Sequence, residues 1–145
     1  MPSYRDLPER MMRGEVSHPP IAELTGFRLT HVETGKAIVE LQAETRHANP
    51  MGTVQGGILC VIADAAMGMA FATTVEEGET FTTLELKINY LKPVRNAQLK
   101  AVGAVVKRGK TIGLTECDVF DEQASLVAHA ISTVMVLRGE MAEGR

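Results

Sequence analysis

The sequence predicts an α+β domain in which a curved antiparallel sheet wraps around one long buried helix. Three observations carry that prediction. The stretch from Ile58 to Thr74 has helix length and is built from Ile, Leu, Ala, Met and Phe, good helix formers, with almost no polar face. One segment before it and four after it read as strands separated by turn signals. The 145 residues suffice for one domain with a core but not for two ordinary ones, so the helix must be covered by this sheet.

The elements follow in order. Residues 1–20 are a polar lead-in with a short helix expected around Tyr4 to Arg13; Pro19 and Pro20 impose an extended or turn conformation at its end. The domain proper is expected over residues 21–137, with 138–145 a polar tail. A short helical piece fits Ile21 to Gly26. "GKAIVELQAE" then reads as a β-branched, partly alternating strand after the turn at Thr34-Gly35. The loop "TRHANPMGTVQGG" is rich in breakers and leads into the long helix. There Ala63, Ala65, Ala66, Gly68, Ala70 and Ala72 are small enough for another backbone to come close. Gly78 is a stop signal. In "TLELKINYLKP", Leu84, Leu86, Ile88 and Tyr90 alternate with Glu85, Lys87 and Asn89, the period of a strand with one apolar face. "AQLKAVGAVVKRG" and "KTIGLTECDVFD" form a hairpin turning at Arg108-Gly109-Lys110, and "SLVAHAISTVMVL" is the last strand.

Composition excludes several classes. With a net charge of −3 there is no basic excess to neutralise nucleic-acid phosphates. The apolar run from Ile58 to Ala72 is interrupted by Asp64 and falls short of the roughly 20 residues that span a bilayer. The N-terminus is charged and lacks the apolar core of a signal peptide. Cys60 and Cys117 have no metal-ligand spacing and read as two buried free thiols in a reducing compartment. His18, His31 and His129 likewise show no ligand spacing, so no metal is expected. A cytoplasmic protein without nucleic-acid or membrane partners is the expectation.

The segment "HANPMGTVQGGILCVIADAAMGMA" resembles the motif of the PaaI-like acyl-CoA thioesterases, hotdog-fold enzymes of the phenylacetate-pathway type. That motif is His-x-Asn-x-x-Gly-x-x-His-Gly-Gly, with Asp seven residues after the last Gly. His47, Asn49, Gly52, Gly56, Gly57 and Asp64 fall in step with it. "LELKINYLKPV" and "KRGKTIGLTECDVFD" also look like that family, so the resemblance covers roughly residues 20–137. Gln55 stands where the family usually has His, and an amide can still donate a hydrogen bond near a thioester carbonyl. The resemblance implies hydrolysis of an acyl-CoA to free acid and coenzyme A. It makes Asp64 general base or nucleophile and the Gly56 amide the main oxyanion donor. No cofactor is implied, since coenzyme A is part of the substrate.

The residues bear their own physical reading. An unpaired buried carboxylate costs several kcal/mol, so Asp64 in an apolar run calls for a purpose or for hydrogen-bonding partners. Gly56 and Gly57 make either a simple turn or a helix N-terminus whose unpaired N–H groups favour a developing oxyanion. Eight residues of helix separate Gly56 from Asp64, a rise of about 12 Å, so one thioester carbon cannot touch both in the same chain. The two groups must therefore come from different subunits, which agrees with the two-fold dimer that the resemblance implies. A homodimer is then obligatory for activity, and a homotetramer built as a dimer of dimers is expected.

Asn49 before Pro50 either forms an Asx turn or aims its amide at water or substrate. Thr83 matches a position where the family often has a hydroxyl that assists the water. Lys107, Arg108, Gly109, Lys110 and Thr111 form a cationic hairpin tip, either a solvated turn or a contact for coenzyme A phosphates, with Lys92 and Arg95 as further candidates. His47 reads as a loop hydrogen-bonder. Met67 and Met69 line the core or an acyl pocket. A non-catalytic acyl-CoA sensor or carrier on the same fold is the alternative. A hotdog hydratase ranks behind both, since no His follows Asp64 at helical spacing.

Overall fold

The computed structural model describes residues 3–144; Met1 and Pro2 of the lead-in and Arg145 of the tail lie outside the described residues. After a single turn at Tyr4–Asp6 come α1 (Leu7–Met12) and α2 (Pro20–Thr25). Pro20 opens α2, where its missing N–H would have no partner anyway, and Gly26 closes it in the left-handed conformation. The chain continues with β1 (Arg28–Glu33), β2 (Lys36–Ala43), α3 (Gly56–Ala72), β3 (Thr80–Tyr90), β4 (Ala97–Arg108), β5 (Ile112–Phe120) and β6 (Leu126–Leu137).

The strands make one six-stranded antiparallel sheet in the order β1-β2-β4-β5-β6-β3. α3 touches every strand, which requires the sheet to curl around it. This is the hotdog architecture. Val39, Leu41, Leu99, Ala101, Cys117 and Val119 line its inner surface, against Leu59, Ile62, Ala63, Ala66 and Met67 of α3. Each large side chain so buried contributes about 1.5–3 kcal/mol. At the centre of the contact the helix backbone rests on β4. A Cβ on Gly103 would press into the backbone of Ala66, 2.5 Å from its oxygen, and lie 2.7 Å from the Met67 nitrogen.

Four details depart from the sequence-based expectation. β1 was not foreseen: "RLTHVE" is an edge strand with only Leu29 buried and a register irregularity after it, so no clean alternation shows. α3 begins at Gly56, two residues before Ile58. Its own chain does not cover it all round, for Gly57 and Asp64 are exposed and Cys60 is only half-buried. Leu84 does not join the inward face of β3; it is 52% exposed in a bulge between Thr83 and Glu85. No helix among the described residues is long and apolar enough to cross a membrane.

Gly103→Ala should destabilise the protein by about 1–3 kcal/mol through overpacking. Urea unfolding reads this as a lower midpoint at constant m-value; an unchanged midpoint would mean that the helix can lift off β4 freely.

Candidate functional site

The loop before α3 is built by its polar side chains. His47 is buried, its Nδ1 accepting from the Glu44 N–H at 2.9 Å and its Nε2–H donating to the Thr25 carbonyl at 2.7 Å. Both nitrogens are thus committed, and the ring ties the loop to α2 as a structural group. Asn49 makes an Asx turn: Oδ1 accepts from the N–H groups of Met51 (3.0 Å) and Thr53 (3.2 Å), while Nδ2 donates to Thr53 Oγ1 at 2.9 Å. Its amide shapes the loop, which delivers Gln55 as the N-cap of α3. The Gln55 N–H reaches the His47 carbonyl at 2.9 Å, but its side chain is exposed and makes no capping bond. The N–H groups of Gly56 and Gly57 meet no acceptor among the described residues, as expected of a first helical turn.

A cleft of about 370 Å³ opens at this helix end, within the range of small-molecule sites. Its walls are apolar (Val54, Leu59, Leu91, Pro93), and Asn49, Thr53 and Gly56 form a polar corner. Tyr90 closes one side. A Cβ on Gly56 would lie 2.7 Å from both Cζ and Oη of that ring, so a side chain here would push the ring aside. The Tyr90 hydroxyl is 3.4 Å from Cys60 Sγ. The bond to Cys60, then desolvation, push the phenol up to about 12, so it stays protonated.

Asp64 lies two turns further along, four residues beyond Cys60 and on the same stripe of α3. Thr83 of β3 donates a long hydrogen bond, 3.4 Å, to its Oδ1. Desolvation by the surrounding protein raises the Asp64 pKa, and the Thr83 bond works in the opposite direction. No charged side chain pairs with it among the described residues. The chain therefore brings Asn49, Gln55, Gly56 and Gly57 together at one end of α3, and Asp64 with Thr83 at its middle. It does not bring the two groups to one point.

The cationic tip sits at the other end of α3. Arg108 pairs with Glu79 at 2.5 Å, with its guanidinium 5.4 Å from the Phe71 ring centroid. The second Glu79 oxygen takes Arg138 at 2.5 Å, and Arg138 also donates to the Lys110 carbonyl at 2.6 Å. Burial pushes the Glu79 carboxyl up, but the Glu76 N–H and the two guanidiniums outweigh it and hold the pKa below the usual range. Arg108 is thus engaged within the fold, whereas Lys107, Lys110 and Thr111 are exposed at the tip. A recess of about 470 Å³ borders Arg108, Gly109, Lys110 and Arg138. The pairing of Glu79 with Arg138 joins residues 59 apart, and no local pattern announces it. Lys92 is likewise paired, with Asp121 at 2.5 Å, and Arg95 donates to the Met51 carbonyl at 3.2 Å.

A helix held in a curled sheet, with Asp64 on its open side and Gly56 at its N-terminus, is the architecture of the hotdog-fold proteins. The chain belongs to the thioesterase superfamily, whose pattern matches residues 51–128, more than half of its length. It is 28% identical over 116 residues to the 1,4-dihydroxy-2-naphthoyl-CoA hydrolase of Listeria monocytogenes, covering 80% of this chain and 94% of that one. With human acyl-coenzyme A thioesterase 13 it shares 28% identity over 117 residues, 80% of this chain and 81% of the relative. Among solved structures, a phenylacetic acid degradation-related protein of Ralstonia eutropha superposes with a TM-score of 0.81 at 29% identity. That match covers 88% of this chain and 98% of the other. The protein is a thioester hydrolase.

Asp64→Asn should raise Tm at about pH 7 and leave it unchanged at about pH 3. A carboxyl whose pKa is raised by folding costs stability above its unfolded value, in full once pH exceeds the folded pKa, and nothing below both. Thermal unfolding at the two pH values checks the sign; a lower Tm at neutral pH would contradict it.

Proposed function

We propose that the protein hydrolyses acyl-CoA thioesters at sites shared by two copies of the chain. One copy supplies Asp64 and Thr83; the other supplies the Gly56 amide, with Gly57, Gln55 and the Asn49 loop around it. The reading rests on the split of the site along α3, where about 12 Å of helix rise separates the two halves. β3 supports it. This strand of 11 residues lies at the end of the sheet beside β6 and carries exposed Leu84 and Tyr90, a surface for a second copy. The dimer is the active unit, and two such dimers make the expected tetramer.

In this site the Asp64 carboxylate takes a proton from water as the water oxygen attacks the thioester carbon. The charge that develops on the carbonyl oxygen is met by the Gly56 N–H and the helix dipole behind it. Collapse breaks the carbon–sulfur bond, and the proton leaves with the coenzyme A sulfur. Direct attack by Asp64, giving an anhydride that water then opens, uses the same groups. Either route needs Asp64 ionised, so its raised pKa places an acid limb in the pH profile. Lys107, Lys110 and Thr111 are the tip groups open to coenzyme A phosphates, with Arg108 and Gly109 giving the tip its shape. The two free thiols fit the reducing cytoplasm.

Thiol release from short, medium, long-chain and aryl acyl-CoAs tests this. Wild type should turn over some of the panel and Asp64→Asn should lose about 100-fold or more. Co-expressing Asp64→Asn with Gly56→Val should restore part of the activity, since mixed dimers keep one intact site. Binding of acyl-CoA without thiol release by wild type would replace the hydrolase with the sensor reading.

A further inference from the structure

Thr83 reaches Asp64 only because β3 is irregular. Glu85 pairs with Thr133 and Leu86 with Ser132, so regular alternation would set Leu84 opposite Val134 on the inward face. Thr83 would then face away from α3. Instead Thr83 pairs with Val134, which is buried on that inward face, and Leu84 is expelled into the bulge. One extra residue thus exchanges a leucine for a hydroxyl beside the acid.

The bulge disturbs the ladder, and two side chains repair it. Ser132 Oγ donates to the Glu85 carbonyl at 2.8 Å. The Thr133 N–H donates to Glu85 Oε1 at 3.0 Å. Ser132 is 1% exposed and lies between the buried Ala130 and Val134. A hydroxyl in that apolar row would be a liability without its partner, because desolvating it unpaired costs free energy that a bonded hydroxyl does not incur. We propose that Ser132 and Glu85 are positioning residues that clamp the β3 bulge and thereby hold Thr83 against Asp64. Their effect on the reaction rests on the reading of Asp64 as the reactive carboxylate; their effect on Asp64 itself does not. Among the described residues Asp64 has Thr83 as its hydrogen-bonding partner; desolvation raises its pKa and the Thr83 bond opposes that rise, so losing the contact moves the titration further up.

The test is the titration of the Asp64 carboxyl carbon by NMR in wild type, Thr83→Ala, Ser132→Ala, the double variant and Ser132→Thr. Thr83→Ala should move the Asp64 pKa upward, since it removes a donor that favours the ionised form. Ser132→Ala should move it the same way, the double variant no further than Thr83→Ala, and Ser132→Thr, which keeps the hydroxyl, should return it to the wild-type value. In thiol release the acid limb of kcat should move with it, with a loss of up to about tenfold on the limb and KM unchanged. A wild-type Asp64 titration in Ser132→Ala, whatever its Tm, would overturn the proposal, as would additive shifts in the double variant. Wild type that titrates as described but releases no thiol would sink the hydrolase reading and leave the clamp standing.

Discussion

The contact between α3 and the middle of the sheet governs the rest of the molecule. At Gly103 the helix backbone lies against β4 with no side chain between them, and Ala63, Ala66 and Ala70 keep the approach close along its length. Packing this tight fixes the rotation of the helix as well as its distance. Once Ile62, Ala66 and Met67 face inward, every fourth residue from Gly56 through Cys60 to Asp64 must lie along the open side. The stripe of Gly56, Cys60 and Asp64 is what the buried stripe leaves over.

β3 runs beside that open stripe in the opposite sense. Tyr90 near its end packs on Gly56 and Cys60, while Thr83 near its start reaches Asp64. One strand, at the end of the sheet, therefore contacts both halves of the proposed site. Each half has a different electrostatic character. The amides at the helix N-terminus, without an acceptor among the described residues, favour negative charge, and desolvation of the carboxylate at mid-helix favours its protonated form. In the proposed dimer, joining these halves across two copies places a proton acceptor opposite an oxyanion donor, the pairing that acyl transfer requires.

Several polar groups near the proposed site make contacts within the fold. His47 spends both ring nitrogens on backbone groups, Asn49 spends its oxygen on an Asx turn, and Arg108 is held by Glu79 over Phe71. Each shapes a loop that presents something else: the Gly56 amide in the first two cases, and the exposed lysines of the hairpin tip in the third.

The sequence by itself determined the fold class, the long helix, five of the strands and the motif from His47 to Asp64. These depend on local period, helix propensity and turn residues, which act within a few positions of one another. It also set the spacing of Gly56 and Asp64, because the helix rise is constant. Only the tertiary structure decided the rest. β1 is a strand because β2 offers it an edge, and its own polar residues give no alternating signal. The inward place on β3 went to Thr83 instead of Leu84 because Ser132 and Glu85, on two strands, stabilise a bulge that β3 alone does not predict. Arg108 met Glu79 and Arg138 across long stretches of chain. Such contacts are fixed by which surfaces the packed helix leaves facing one another, and distance along the chain carries no record of that.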